Sequence, residues 1–289
     1  MNNKQSLFRG LTAAAAALLI LLAGCSGTAG NVDIDPPTRG VLHYLQQQGM
    51  ANVSDNGYQV QVKSIAEDRP LASGTDTALM LQVLDRASMP VKQFTEDMTK
   101  LMHLIVVSRD LSSFQHLHPD YAGSGQFEVA MRFPFGGDYL LIEEFVPDDK
   151  PVTVVKQWVK VAGEQPPAAE LALGGTLRQT IGGLTVTLSM MPDAQSLKAG
   201  QMVMLDYNIS DAATGESVQL EPYLGTKGHC VILDAKANQY VHVHAADDMR
   251  QGSNVMFHTE FPAAGTYRVW GQFQYNGQVI AAPFDVKVN

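Results

Sequence analysis

From about residue 57 to the end, the chain alternates short apolar runs with polar, turn-forming clusters. The runs Tyr58 to Ile65, Leu79 to Leu84, Met102 to Val107, Tyr139 to Phe145 and Val152 to Val161 are rich in β-branched and aromatic residues. Gly, Asp, Asn and Pro clusters bound them, and no long stretch repeats at the helical period. The same texture returns at Leu184 to Met190, Met202 to Ile209, His229 to Leu233, Tyr267 to Tyr275 and Ile280 to Val288. Strands are therefore expected throughout. Tyr275-Asn276-Gly277-Gln278 carries the Asn-Gly signal of a tight hairpin, because both central positions of such a turn need positive φ. Only Val41 to Gln48 reads as a short helix.

The two halves are copies of each other. Gly57, Val60, Val62, Asp85, His103, His116 and His118 recur 126 residues later as Gly183, Val186, Leu188, Asp211, His229, His242 and His244. Further on the displacement is 128, so that Phe133-Pro134, Gly137, Tyr139 and Phe145 match Phe261-Pro262, Gly265, Tyr267 and Phe273. The boundaries expected from this are a repeat over 57–163, a linker over 164–182 with the extended Pro166-Pro167 pair, and a second repeat over 183–289. About seven short strands per repeat predict an all-β chain of two tandem homologous antiparallel β-sandwiches, immunoglobulin-like or cupredoxin-like. The pattern alone does not separate those two topologies. The Tyr that opens the matched strand in each copy, Tyr139 or Tyr267, is expected to bond a nearby backbone group as such sandwiches often arrange.

Ahead of the repeats, Lys4 and Arg9 precede an apolar run from Leu11 to Ala23, the order of a secretory signal and too short for a comfortable membrane span of about 20 residues. Leu22-Ala23-Gly24-Cys25 resembles the lipobox of bacterial lipoproteins. That resemblance implies removal of residues 1–24, a lipid on Cys25 that anchors the chain to a membrane, and a tether over 25–56. With Ser26 after the Cys, it also implies an outer-membrane lipoprotein facing the periplasm. Loss of Lys4 and Arg9 takes the formal charge from −9 to −11, which argues against nucleic acid as a partner. Besides the anchor, the mature chain keeps one cysteine, Cys230, so no intramolecular disulfide is available.

Six of the eight histidines fall in the two matched triplets, His103/His116/His118 and His229/His242/His244. In the first, Ser108 to Ser113 reads as a hairpin connection. A turn centred near Arg109-Asp110 sets His103 directly opposite His116, with His118 on the same face two residues along. Three imidazoles so placed suit copper or zinc and leave room for a fourth ligand, for which Met131, Cys230 and His258 are candidates. Cys230, in an apolar run, reads better as a buried small residue. Ile105, Val107 and Phe114 share the histidine face, so burial of the imidazoles as packing residues stands beside the metal reading.

Gln239-Tyr240-Val241-His242-Val243-His244 resembles the copper-ligand strand of copper/zinc superoxide dismutases, but the further zinc-loop histidines those enzymes need do not follow. Paired His-x-His motifs also resemble bicupins, whose Glu after the pair is missing here. A looser similarity to periplasmic copper-binding proteins of cupredoxin-like fold remains. It implies an envelope lipoprotein that handles copper or zinc through one His triplet per repeat. The competing class is a structural or assembly lipoprotein whose sandwiches bind another envelope protein or a glycan. A metal-dependent oxidoreductase ranks third, since no phosphate loop, nucleophile elbow or Cys/His dyad is present and a non-enzymatic role is expected.

Overall fold

The computed structural model describes residues 32–35, 54, 56–66, 70–148, 150–171, 177–244 and 253–289, with the backbone alone at 32–35, His242 and His244. The signal segment 1–24, the lipidation candidate Cys25 and the helix expected at 41–48 lie outside the described residues. No helix among the described residues is long and apolar enough to cross a membrane.

Among the described residues eighteen strands follow one another: β1 (Val32–Asp35), β2 (Gln59–Ser64), β3 (Asp76–Leu84), β4 (Phe94–Thr95), β5 (Met102–Ser108), β6 (Phe114–Leu117), β7 (Asp120–Gly123), β8 (Gln126–Arg132), β9 (Gly137–Pro147), β10 (Thr153–Val161), β11 (Arg178–Ile181), β12 (Leu184–Met191), β13 (Met202–Asp211), β14 (His229–Asp234), β15 (Tyr240–His244), β16 (Asn254–Glu260), β17 (Gly265–Tyr275) and β18 (Gln278–Val288). Repeat 1 stacks sheet β2-β3-β8-β7 on sheet β10-β9-β5-β6, and repeat 2 stacks β11-β12-β13-β16 on β1-β15-β14-β17-β18. Every strand pair is antiparallel, and strands from distant parts of the sequence neighbour one another in both sheets of each repeat. These are two tandem β-sandwiches of immunoglobulin-like order. The corner tyrosines behave as expected, Tyr139 donating to the Phe135 carbonyl at 3.0 Å and Tyr267 to the Ala263 carbonyl at 2.8 Å.

Turn chemistry explains where the strands reverse. Asn276 and Gly277 take φ of 51° and 72° between the paired Tyr275 and Gln278, the tight hairpin their sequence predicts. Gly182 and Gly183, at 58° and 77°, make the same kind of two-residue turn between Ile181 and Leu184. Repeat 2 therefore begins at β11, inside the segment read from sequence as a linker over 164–182. Arg178-Gln179-Thr180 is polar and exposed because it forms an edge strand, and no apolar alternation marks it.

The tether expected over 25–56 is likewise structured in part. β1 pairs with β15 from Val32↔Val243 to Asp35↔Tyr240. Main-chain bonds make that pairing, so it needs no apolar run. Asn56 is tied into repeat 1 by a 2.6 Å bond from its amide to the Thr153 hydroxyl.

Each sandwich has its own core. Leu81, Leu104, Val106, Phe127 and Leu141 fill repeat 1, and Leu205, Tyr207, Ile232, Phe257 and Phe273 fill repeat 2. A third apolar cluster joins the repeats, with Ile105, Val107, Leu140 and Ile142 of the first against Val231, Leu233, Tyr240 and Trp270 of the second. This third layer is why β5 is buried at all seven positions and shows no alternation: one face meets its own sandwich and the other meets repeat 2.

Candidate metal centre

The histidine hairpin is built by its turn. Asp110 accepts from the Ser108 hydroxyl at 2.6 Å and from the Ser112 amide at 3.1 Å, and Leu111 adopts φ of 59°. The loop centres one residue later than the sequence expectation, and the register follows: Leu104 faces Leu117, and Ile105, not His103, faces His116. A one-residue move of the centre shifts every opposed pair by two, so the histidines keep the expected face. Repeat 2 reproduces this register with Val231↔His242 and His229↔His244.

The rings of His103, His116 and His118 nonetheless converge. Their centroids stand 5.2, 5.1 and 4.6 Å apart, and one ligand atom from each lies within 4.8 Å of the others. His103 is buried, whereas His116 and His118 are half-buried and give the cluster its route to solvent. The far nitrogens of two rings already meet oxygen acceptors: His103 Nε2 lies 3.1 Å from the Asp97 carbonyl, and His116 Nδ1 lies 3.1 Å from Gln272 Oε1. If those far nitrogens carry the protons, His103 Nδ1 and His116 Nε2 face each other at 3.0 Å as two lone pairs. His118 Nε2 is buried with no hydrogen-bond partner among the described residues. Burial, reinforced by the charges of His103 and Lys100, pushes the His118 pKa down to about 3, so its ring is neutral, the form that ligates metal, at ordinary pH.

Repeat 2 enters the same place. His229 is buried, its ring stacked parallel to His103 at 6.0 Å and 4.8 Å from His116. The histidine faces of both hairpins turn toward the seam between the repeats, because that face carries the apolar residues of the third cluster. The side chains of His242 and His244 lie outside the described residues.

The fourth-ligand candidates are elsewhere. Met131 packs in the repeat 1 core, and Cys230 points into the repeat 2 core, where burial pushes its thiol up to about 12. His258 shares the outward face of β16, since its neighbour Phe257 points into the core.

Sequence reasoning missed Gln272 and its counterpart Glu144, which accepts from the Tyr240 hydroxyl at 3.2 Å across the seam. They occupy matched positions beside the two hub histidines, His103↔Glu144 and His229↔Gln272. A polar residue recurring at one place inside two apolar strands was the available signal.

The family profile described as a domain of unknown function (DUF8832) matches residues 51–163 and again residues 179–289. No curated protein matches the chain. Among solved structures the chain is similar to the Escherichia coli adhesin FdeC, at 14% identity over 80% of this chain and 64% of that one, with a TM-score of 0.26. It is also similar to domains 4 and 5 of the S-layer protein SbsC, at 9% identity over 80% of this chain and 98% of that one, with a TM-score of 0.22. The chain thus spans 64% of the adhesin chain it matches, less than two thirds of its length.

Proposed function

The chain belongs to the DUF8832 family, two of whose domains it carries in tandem, and we propose that it is an envelope lipoprotein that binds a transition metal, copper or zinc, at the seam between them. His103, His116 and His118 are the ligands, and Cys25 carries the lipid that holds the protein to the membrane. The role is metal handling, not catalysis.

One observation supports this reading above the others. Ligating histidines almost always donate the other ring N–H to a carbonyl, carboxylate or water, and His103 Nε2 and His116 Nδ1 each lie 3.1 Å from such an acceptor, the Asp97 carbonyl and Gln272 Oε1. Two nitrogens on one tetrahedral ion stand about 3.3 Å apart, close to the 3.0 Å between His103 Nδ1 and His116 Nε2. With the protons on the far nitrogens, the two lone pairs at that distance repel unless a cation lies between them. His118 brings a third ligand atom within 4.8 Å of the other two.

The packing reading has its own support. Gln272 Nε2 is buried with no hydrogen-bond partner among the described residues. A flipped Gln272 amide would donate to His116 Nδ1, and His116 Nε2–H would then donate to His103 Nδ1, a metal-free chain spanning the repeats.

Metal analysis of the full chain purified in detergent separates the two. The metal reading expects near-stoichiometric copper or zinc in the wild type and its loss in His116→Gln/His118→Gln. Equal trace metal in both proteins would establish the packing reading. The lipid anchor is tested apart from the metal: Cys25→Ser should release the protein from the membrane fraction, and retention there would refute lipidation at Cys25.

A further inference from the structure

We propose a second metal site, for a soft monovalent ion of the Cu(I) class, on the outward face of repeat 2, with Met191, Met204 and His258 as ligands. It stands independently of the imidazole cluster at the seam.

The methionines are unevenly placed. Of thirteen in the chain, Met190 and Met191 on β12, Met202 and Met204 on β13, and Met256 on β16 fall on three adjacent strands of one sheet. Core residues Leu188, Val203, Leu205 and Phe257 fix which face points inward, and by alternation Met191, Met202, Met204, Met256 and His258 share the other. The register then draws a row straight across the sheet: Met191 opposes Met204, and Met204 opposes His258. Met202 flanks the row along β13. Directly opposed Cβ atoms are about 4.5–5.5 Å apart, so Met191 and His258 stand about 10 Å apart with Met204 between them. Two metal–ligand bonds of about 2 Å each, and a long side chain leaning in from either end, span that gap.

Met191 is 68% exposed and Met202 47%, so their thioethers are open to an incoming ion. The duplicated scaffold supplies an internal control. In repeat 1 the matching row is Ile65, Ala78 and Ala130, linked by the Ile65 amide to the Ala78 carbonyl and by the pair Ala78↔Ala130. The same fold is thus made without a thioether or an imidazole in that row, and the donor set is particular to repeat 2. Its chemistry is also distinct from the seam. Thioethers are soft ligands that select Cu(I), whereas three imidazoles suit Zn(II) and Cu(II).

The test is an anaerobic titration of the full chain with Cu(I) against a chromogenic Cu(I) chelator. The wild type is compared with Met191→Leu/Met204→Leu, with His258→Gln and with His116→Gln/His118→Gln. Met-to-Leu exchange keeps side-chain volume, and Met191 is exposed, so the double variant keeps its fold. The first two variants should lose about tenfold or more in Cu(I) affinity at one site, while the seam variant keeps that site and excess Zn(II) does not displace the ion. Wild-type Cu(I) affinity in Met191→Leu/Met204→Leu, loss of all Cu(I) binding in the seam variant, or displacement by Zn(II) would each overturn the proposal.

Discussion

Glu143 is a carboxyl whose chemistry is altered by its surroundings in repeat 1. It lies on the core face of β9 between Leu141 and Phe145, fully buried, with Gln157 donating to Oε1 at 2.7 Å. Burial pushes its pKa up to about 8, against which the Gln157 bond is a smaller opposing effect. The carboxyl is therefore protonated in the folded protein at neutral pH and ionised in the unfolded chain above its ordinary value of 4.5. The folded state holds the extra proton between those two values, so this group's contribution is fully present below pH 4.5 and is lost as pH rises through 8. Denaturant midpoints should fall across that window, by on the order of a few kcal/mol of stability. Glu143→Gln should flatten the slope, whatever it does to stability at a single pH. An unchanged slope in the variant would mean that Glu143 is ionised in the core. His118 acts in the opposite sense: its pKa is lowered by burial, so its contribution is present above 6.5 and is lost as pH falls toward 3.

At the level of strands, the two cores solve one packing problem in different ways. Where repeat 1 has Leu81 on β3 and Glu143 on β9, repeat 2 has Tyr207 on β13 and Gly271 on β17. A Cβ on Gly271 would sit 2.6 Å from the Tyr207 ring, which is itself fully buried and has nowhere to go. Gly271→Ala should therefore cost about 1–3 kcal/mol by overpacking. Adding Tyr207→Leu should recover part of that loss in a double-mutant cycle, with a coupling of roughly 0.5–3 kcal/mol; strict additivity would show that the ring and strand β17 do not compete for space.

This compensation, spread over residues far apart in sequence, was not legible in the apolar pattern. What was legible came from residue identity in the sequence itself: the duplication from matched residues at a fixed displacement, and the Asn276-Gly277 turn and the corner tyrosines from short-range signals. The centre of the Ser108–Ser113 turn was missed because Asp110 and its hydroxyl partners chose it, and no hydrophobic period marks that choice. β1 and β11 escaped notice because edge strands are held by main-chain bonds.

Across the whole molecule, the fold sets His229 of repeat 2 against His103 and His116 of repeat 1 at one seam, a proximity that was not legible because packing between domains leaves no mark on either repeat's own sequence. The seam is broad enough to tie the domains' unfolding together. Trp270 is buried in it with its ring stacked on Phe114 at 4.7 Å, and Arg268, paired with Asp285, donates to the Leu111 carbonyl at 2.8 Å. Lys156 donates in the other direction, from repeat 1 to the Asn238 carbonyl of repeat 2, at 2.7 Å. Each sandwich also has a complete core of its own, so loosening the seam should leave two folded domains. The wild type is expected to melt in one calorimetric transition. Trp270→Ala removes a large buried side chain from the seam, at a cost of about 3–5 kcal/mol, and should split that transition in two. Because the proposed ligands of repeat 1 are oriented partly by Gln272 of repeat 2, the same variant should also weaken copper or zinc binding although it touches none of the three imidazoles. A single shifted transition with unchanged metal affinity would show that repeat 1 holds its ligands alone and that the seam is no more than adhesive.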